Sequence, residues 1–387
     1  MDERIKFIGM YLEEVYTMTT LCLHFGISRK TGYKWLNRYR SEGAEGLNER
    51  SRAPYHQARK TPPEIEAAIL AAARSGLVKK GPKKVRRILE LTDPAIAWPA
   101  VSTIGAILKR HGLVVPRKRR RKSPPYEYPL AGCDYPNAVW SADLKGWFLT
   151  RNGDRCDPLT ITDNYSRYIL RCQLVRPATH HSMQPVFEHA FREFGVPVAI
   201  RTDNGAPFAT TAVGGLSRLS VWWIRLGIIP ERIMPGKPQQ NPRHERMHRT
   251  LKHDTCKPPQ STWERQQAVF DQFCYEFNHE RPHESIDQRF PAELYQSSPR
   301  PYPEILPEMG YPDDMVTRKV HHQGDIKWKG KHLYLTEILA GQTIGLRQVT
   351  EQRLDIYFGP IRLAQLDVAE CKIIHLRKTK KRYERNK

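Results

Sequence analysis

Val139-Trp140-Ser141-Ala142-Asp143-Leu144-Lys145-Gly146-Trp147-Phe148 decides the fold. β-Branched and aromatic residues crowd this stretch, as a strand requires, yet Asp143 sits inside it against strand propensity. A local conflict of that kind marks functional positions. Further strands are expected at Pro158 to Thr162 and Tyr168 to Val175, and Asn152-Gly153 is a hairpin turn signal between the first two. A helix from about His181 to Phe194 then leads through Gly195 to an apolar strand, Val196 to Thr202. Antiparallel strands followed by alternating helix and strand predict a central α/β mixed sheet with helices over residues 135–296, rather than a pure barrel.

Upstream, residues 1–55 read as three short helices. Ile5, Ile8, Leu12 and Val15 recur at helical spacing, Gly26 suits a left-handed turn and Ser28 an N-cap. The helix after Ser28 puts Gly32, Trp35, Leu36 and Tyr39 on one side and Arg29, Lys30, Lys34 and Arg38 elsewhere. Helix, glycine turn and cationic helix make an all-α helix-turn-helix unit, with Ser28, Arg29, Lys30, Lys34 and Arg38 expected on DNA. A second helical DNA-binding unit is expected over 60–113, with Ser102 capping its last helix and Gly112 ending it. The cations Arg117, Lys118, Arg119, Arg120, Arg121 and Lys122 follow in a basic, proline-containing linker, 114–134, and read as an arm that tracks phosphates.

Downstream, the proline-rich stretch 297–317 reads as a second linker, and short strands over 318–370 as a small β-barrel-like domain. The basic tail, 371–387, is expected to order only on phosphate.

The whole chain of 387 residues carries 63 Lys and Arg against 41 Asp and Glu, a formal net charge of +22. With 39% hydrophobic residues it has material for real cores, which excludes a purely disordered basic protein. No apolar run has the length of a membrane span and Met1 to Lys6 is charged, so the expectation is a soluble cytoplasmic protein, nucleoid-associated if bacterial, with no membrane partner. Seven scattered cysteines without a CxxC pair argue against a disulfide framework and a thiolate zinc site. Such an excess of cations points to a polyanion as partner.

Two more carboxylates join Asp143 as candidates for chemistry. Asp203 ends a strand at Thr202-Asp203-Asn204-Gly205, and taken alone it reads better as a turn residue than as a site; the pair with Asp143 gives it weight. Asn241 as N-cap and Pro242 at the first position start a helix whose first turn holds Glu245. Glu245, His248, Arg249 and Lys252 are expected on one face, with Met247 and Leu251 on another. Glu231 is the competing third carboxylate, but it precedes the Pro235-Gly236 loop. Three carboxylates without convergent thiolates favour hard ions, Mg²⁺ or Mn²⁺, and two such ions about 3.5 to 4 Å apart suit phosphoryl transfer.

Asp143, Asp203 in Thr-Asp-Asn-Gly, and Glu245 in the run from Pro235 to Lys252 together resemble the DDE insertion-sequence transposases with a retroviral-integrase-like core. Thr162 to Tyr168, the Asn278 to His283 segment ending in Arg-Pro-His, and Pro291-Ala292-Glu293 add to the resemblance. Gly26 to Thr31, Gly46 to Arg52 and Gly324 to Asp367, which look like the family's helix-turn-helix unit and small C-terminal β domain, extend it over nearly the whole chain. It implies an RNase H-like catalytic core that binds terminal repeats of a mobile element, cuts at their ends and joins a 3′ hydroxyl to target DNA. It also implies Asp143, Asp203 and Glu245 as the catalytic, metal-binding triad. Lys252, His248 and Arg249 would contact DNA nearby, and Lys237, Gln239 and Gln240 would lie in the preceding loop. Pro242 stands where the family usually has glycine, and the 41 residues between Asp203 and Glu245 imply an insertion near Thr210 to Leu219. Two element ends must be brought together, so a homodimer or higher oligomer on double-stranded DNA is expected.

Two readings compete. His244-Glu245-Arg246-Met247-His248 matches the HExxH signature of zinc metalloproteases, but Arg246 stands inside it and no third-ligand signature follows. The other is a catalytically silent, transposon-derived DNA-binding regulator, which the presence of all three carboxylates weakens.

Overall fold

The structure is a computed structural model that describes residues 2–50, 61–114, 132–233 and 242–375. Contacts divide the chain between Thr61 and Pro62. The first unit holds helices α1 (Asp2–Leu12), α2 (Met18–His24) and α3 (Arg29–Glu42) around Phe7, Ile8, Leu21 and Leu36. Of the expected apolar stripe only Ile8 is buried; α1 ends at Leu12, so Val15 falls beyond it and is 71% exposed. Gly26 makes the left-handed turn at φ +63°, and Ser28 Oγ caps α3 by accepting the Thr31 N–H at 3.2 Å. A Cβ on Gly32 would stand 2.7 Å from Cys22 Sγ and 2.9 Å from Met18 Sδ. Glycine costs the helix about 1 kcal/mol, and here it lets α3 press against α2.

The second unit begins with α4 (Pro63–Arg74), α5 (Pro82–Thr92) and α6 (Val101–Arg110), whose shared core includes Ile69, Val85 and Ile104. Ser102 does not cap α6. Ala100 holds the extended conformation at ψ 152°, the helix starts at Val101, and Ser102 lies within its first turn.

The central domain is a mixed sheet of β1 (Val139–Leu144), β2 (Phe148–Leu149), β3 (Arg155–Asp163), β4 (Ile169–Val175), β5 (Ala199–Thr202) and β6 (Ile229–Arg232). The order is β2-β3-β1-β5-β6, with β4 on the free side of β3. β1 runs antiparallel to β3 and parallel to β5, and β5 parallel to β6. The expected single strand from Val139 to Phe148 is interrupted, with Gly146 turning at φ +84° between β1 and β2. Helices α7 (His180–Phe194), α8 (Arg218–Arg225), α9 (Pro242–Thr255), α10 (Trp263–His279) and α11 (Pro291–Leu294) complete the domain. Phe187, Phe191 and Trp223 pack with Trp140 and Ile200 in one core, while Met247 and Leu251 of α9 join Phe270 and Phe273 of α10 in another.

Residues 297–317, read as a linker, are strapped to this domain in their first half. Arg300 donates to the carbonyls of Pro197 at 2.8 Å and Leu226 at 2.9 Å, and Tyr302 and Leu306 pack on the core. The C-terminal strands β7 (Met315–Lys319), β8 (Asp325–Trp328), β9 (Lys331–Tyr334), β10 (Thr343–Thr350), β11 (Arg353–Phe358), β12 (Ile361–Asp367) and β13 (Lys372–His375) follow. They form an antiparallel sheet in the order β13-β12-β11-β10-β7 and a separate β8-β9 hairpin. Among the described residues no ladder joins β7 to β13, so the expected barrel-like closure is replaced by an open sheet plus a hairpin. In the stretch from Thr210 to Leu219, where an insertion is expected, Leu216 joins Val221 and Ile224 of α8 in the core of this sheet. Among the described residues no helix is long and apolar enough to cross a membrane.

Candidate active site

The sheet itself brings two aspartates together. Ser141 of β1 pairs with Arg201 of the parallel strand β5, so Asp143, still within β1, and Asp203, just past the end of β5, lie at the same level two residues on. Asp203 accepts the Gly205 N–H at 3.0 Å, and a Cβ on Gly205 would come within 3.0 Å of its Oδ2. The glycine therefore leaves the carboxylate room. Glu245 lies in the first turn of α9, the end of a helix to which its dipole draws negative charge.

Asp143 feels the other two. Its carboxyl is pushed up to about 7, first by burial, then by the charge of Asp203, with Glu245 adding to it against the Leu144 N–H and Lys145. Like charges held this close in a half-buried place favour a cation between them. Glu231, the competitor, is engaged elsewhere: its Oε2 pairs with Arg201 at 2.5 Å on the neighbouring strand.

Behind Asp143 lies a pair of imidazoles. His244 and His248, one turn apart on α9, are 1% and 5% exposed. The Thr160 hydroxyl on β3 meets Nε2 of both rings, at 2.7 Å and 2.5 Å, and the Asp143 carbonyl oxygen at 3.2 Å. Thr162 Oγ1 meets His244 Nδ1 at 2.9 Å. A hydroxyl has one proton. If Thr160 donates it to the Asp143 carbonyl, both Nε2 atoms carry protons and both Nδ1 atoms present lone pairs, an assignment from the network. Burial, and for His248 next the neighbouring His244, depresses both imidazoles well below their ordinary range, so both are neutral at pH 7. Asp143, His244 and His248 each offer a ligand atom within 4.8 Å of one another.

This arrangement corrects the expected helix face. His248 does not reach out beside Glu245 toward DNA; it turns inward with His244, Met247 and Leu251, because α9 rests on β3 and α10. Glu245, Arg249 and Lys252 stay exposed. The HExxH match flagged both histidines in the sequence, but the ligand that the structure sets beside them, Asp143, is remote in the chain. Thr160, an ordinary strand threonine, gave no signal.

Residues 134–238 and 226–291 match the integrase core domain, 3–55 a helix-turn-helix domain and 31–108 a homeodomain-like domain. The chain carries integrase core and helix-turn-helix domains and is similar to insertion-element proteins. It is 28% identical over 236 residues to the insertion element IS407 uncharacterized 31.7 kDa protein of Burkholderia multivorans, covering 60% of this chain and 82% of that protein. It is 27% identical over 212 residues to the insertion element IS476 uncharacterized 39.2 kDa protein of Xanthomonas euvesicatoria, covering 54% of this chain and 59% of the relative. Among solved structures it is similar to the catalytic core domain of BIV integrase, at TM-score 0.31 and 18% identity over 41% of this chain and 92% of that one. The HTLV-2 integrase catalytic core in complex with magnesium aligns at TM-score 0.33 and 16% identity over 41% of this chain and 97% of that one.

Within the matched helix-turn-helix region, Ser28, Arg29, Lys30 and Lys34 are exposed at the start of α3, and Arg38 is half-buried one turn on. The arm from Arg117 to Lys122, the loop residues Lys237, Gln239 and Gln240, the cap Asn241 and the tail beyond His375 lie outside the described residues.

Proposed function

We propose that the chain is a divalent-metal-dependent DNA strand-transfer enzyme, in which Asp143, Asp203 and Glu245 hold the ions. One observation carries this reading: Asp143 is half-buried and pushed up to about 7 with Asp203 and Glu245 among the causes, while among the described residues no ion pair closes on Asp203 or Glu245. The three carboxylates fit Mg²⁺ or Mn²⁺, hard ions that take oxygen ligands. When bound, two such ions supply activation of the attacking oxygen and stabilisation of the leaving one.

The chain's own residues do the positioning. The parallel β1-β5 pair fixes Asp143 and Asp203, and α9 delivers Glu245. Thr160 and the two neutral imidazoles hold Asp143 from behind and keep water out of that side. Unit 1, with Ser28, Arg29, Lys30, Lys34 and Arg38 on α3, binds the terminal repeats, and Arg249 and Lys252 contact DNA close to Glu245. The division into 1–55, 60–113, 135–296 and 318–370, a cytoplasmic location and a homodimer or higher assembly on two DNA ends belong to the same proposal.

The test is incubation of the full chain with candidate end DNA and Mg²⁺ or Mn²⁺, with products resolved by size. Wild type is expected to cut and join. Asp203→Ala is expected to retain DNA binding and lose transfer by at least ~10²–10³-fold, the scale on which one charge-stabilising group acts. Wild-type-like transfer by that variant would falsify the triad. Cutting without joining of pre-cut ends would make the chain a nuclease.

A further inference from the structure

Two segments singled out in the sequence, Thr162 to Tyr168 and Asn278 to His283, are left largely unused by the carboxylate site. They meet at another place. With α5 and part of α9 they wall an open cavity of about 840 Å³. Six cations line it, Lys84, Arg167, Arg243, Arg246, Arg249 and Arg281, against two carboxylates, Asp163 and Glu284.

Neither acid neutralises that set. Asp163 is buried and already accepts the backbone N–H groups of Asn137 and Ser166 at 2.9 and 2.7 Å, with the Ser166 hydroxyl at 2.6 Å. Glu284 is paired with Lys83. The cations are partly dry. Burial, then Arg281, pulls Lys84 down to about 7, and burial, then Arg243, pulls Arg167 down to about 10. Arg281 lies over the Phe277 ring at 5.5 Å with its Nε buried and unpartnered. His283 Nε2 is likewise buried without a partner. Arg167 and Arg243 both donate to one acceptor, the Asn164 carbonyl.

Desolvated charges of one sign repel one another and weaken a fold unless an anion completes them. The void lies within the ~300–1,000 Å³ typical of ligand sites. Guanidinium forks match phosphate oxygens, and α9, which carries Glu245, also contributes Arg243, Arg246 and Arg249 to the wall. We propose that this cavity binds a backbone phosphate of DNA between Lys84, Arg167 and Arg281, so that DNA clamps the second helical unit against the catalytic domain. The inference rests on the DNA-processing reading above and adds to it a site away from the carboxylates.

The full chain, Lys84→Gln and Arg281→Gln are titrated without metal against a fluorescently labelled DNA duplex of arbitrary sequence across a salt series. Each protein is also heated with and without inorganic phosphate. Wild type is expected to melt higher with phosphate, and both variants to lose that response. Both are expected to bind DNA more weakly, with the log–log salt slope shallower by ~0.9, the loss of one phosphate contact. Without ligand, Lys84→Gln is expected to melt no lower than wild type, since a repelled charge is gone; a lower melting point would mark Lys84 as structural and overturn the proposal. Unchanged DNA affinity and slope in both variants also overturns it, even if phosphate still raises the melting point, because the cavity would then be a free-phosphate site. If Arg281→Gln does not fold, Lys84→Gln decides alone. Neither metal nor strand transfer enters these measurements, so their failure and a failure of the catalytic reading are separate results.

Discussion

His248 Nδ1 lies 3.5 Å from Asp143 Oδ2. The contact joins the inward face of α9 to β1, and Thr160 holds it from behind by meeting Nε2 of His248 and of His244. Thr160→Val removes the shared hydroxyl and leaves two buried imidazole nitrogens without their partner. Support of this kind behind a metal ligand is worth ~10–100-fold in metal affinity. Mn²⁺ titration is expected to show a loss of that size in Thr160→Val and recovery in Thr160→Ser, with metal-free DNA binding unchanged in both. Equal Mn²⁺ affinity in wild type and Thr160→Val would remove Thr160 from the positioning network.

The Asp143 carboxyl predicts a proton count. Its folded-state pKa, about 7, is above its ordinary value of 3.8. By itself it therefore stabilises the metal-free fold fully at low pH, and that contribution is lost as pH rises through 7. A bound cation needs the ionised form. Metal binding at pH 6 is expected to expel close to one proton, and at pH 8 close to none. Calorimetry in two buffers of different ionisation enthalpy measures the difference, and equal release at both pH values would show that Asp143 is not a ligand.

The buried imidazoles act with the opposite sign. His244 is held down to about 3 by burial and then Lys145, below the 6.5 of an ordinary imidazole. Its contribution to stability is present above pH 6.5 and lost as pH falls toward 3, because the unfolded chain takes a proton that the fold refuses. One such proton corresponds to about 1.4 kcal/mol per pH unit. Urea unfolding of the second unit's transition at pH 7, 6 and 5 is expected to show His244→Gln losing stability less steeply by about that slope. An unchanged slope would mean that His244 is protonated in the fold.

Legibility followed the range of the interactions. The Ser28 cap, the Gly26 turn and Glu245 in the first turn of α9 depend on neighbours a few residues away, and the sequence carried them. Apolar runs rich in β-branched and aromatic residues likewise gave β1, β3, β4 and β5, to within a few residues at their ends, but not β6. What depended on distant partners was hidden. Thr160 reads as any β-branched strand residue until α9 is laid over it 84 residues later. His248 was placed outside because a helical wheel shows which residues share a face but not which of two faces meets the sheet. Open or closed ends of the C-terminal sheet depend on pairing between β7 and β13, which no local pattern specifies. Arg281 and Lys84, nearly two hundred positions apart, had no visible link until they lined one cavity.

Glu276 supplies the last test, of how the second helical unit is held. Its side chain is on α10, 3% exposed, and its Oε2 accepts the backbone N–H groups of Leu77 at 2.6 Å and Val78 at 3.0 Å. Those amides belong to the turn after α4, which Gly76 enters at φ +69°, and a Cβ on Gly76 would stand 2.5 Å from Glu276 Oε2. Glu276→Ala leaves two amide donors without their acceptor, each costing ~1–3 kcal/mol where buried. Glu276→Gln keeps an acceptor oxygen and gives up only the charge. Because the chain has two compact units, a single unfolding free energy is not well defined. Hydrogen exchange by segment is the suitable measurement. Amides of α4, α5 and α6 are expected to lose ~10-fold or more protection in Glu276→Ala, from the lower end of that cost, and clearly less in Glu276→Gln, while α1 to α3 keep theirs. Equal protection of α4 to α6 in wild type and Glu276→Ala would mean that the helices are held by their own apolar core, and that Glu276 only accompanies it.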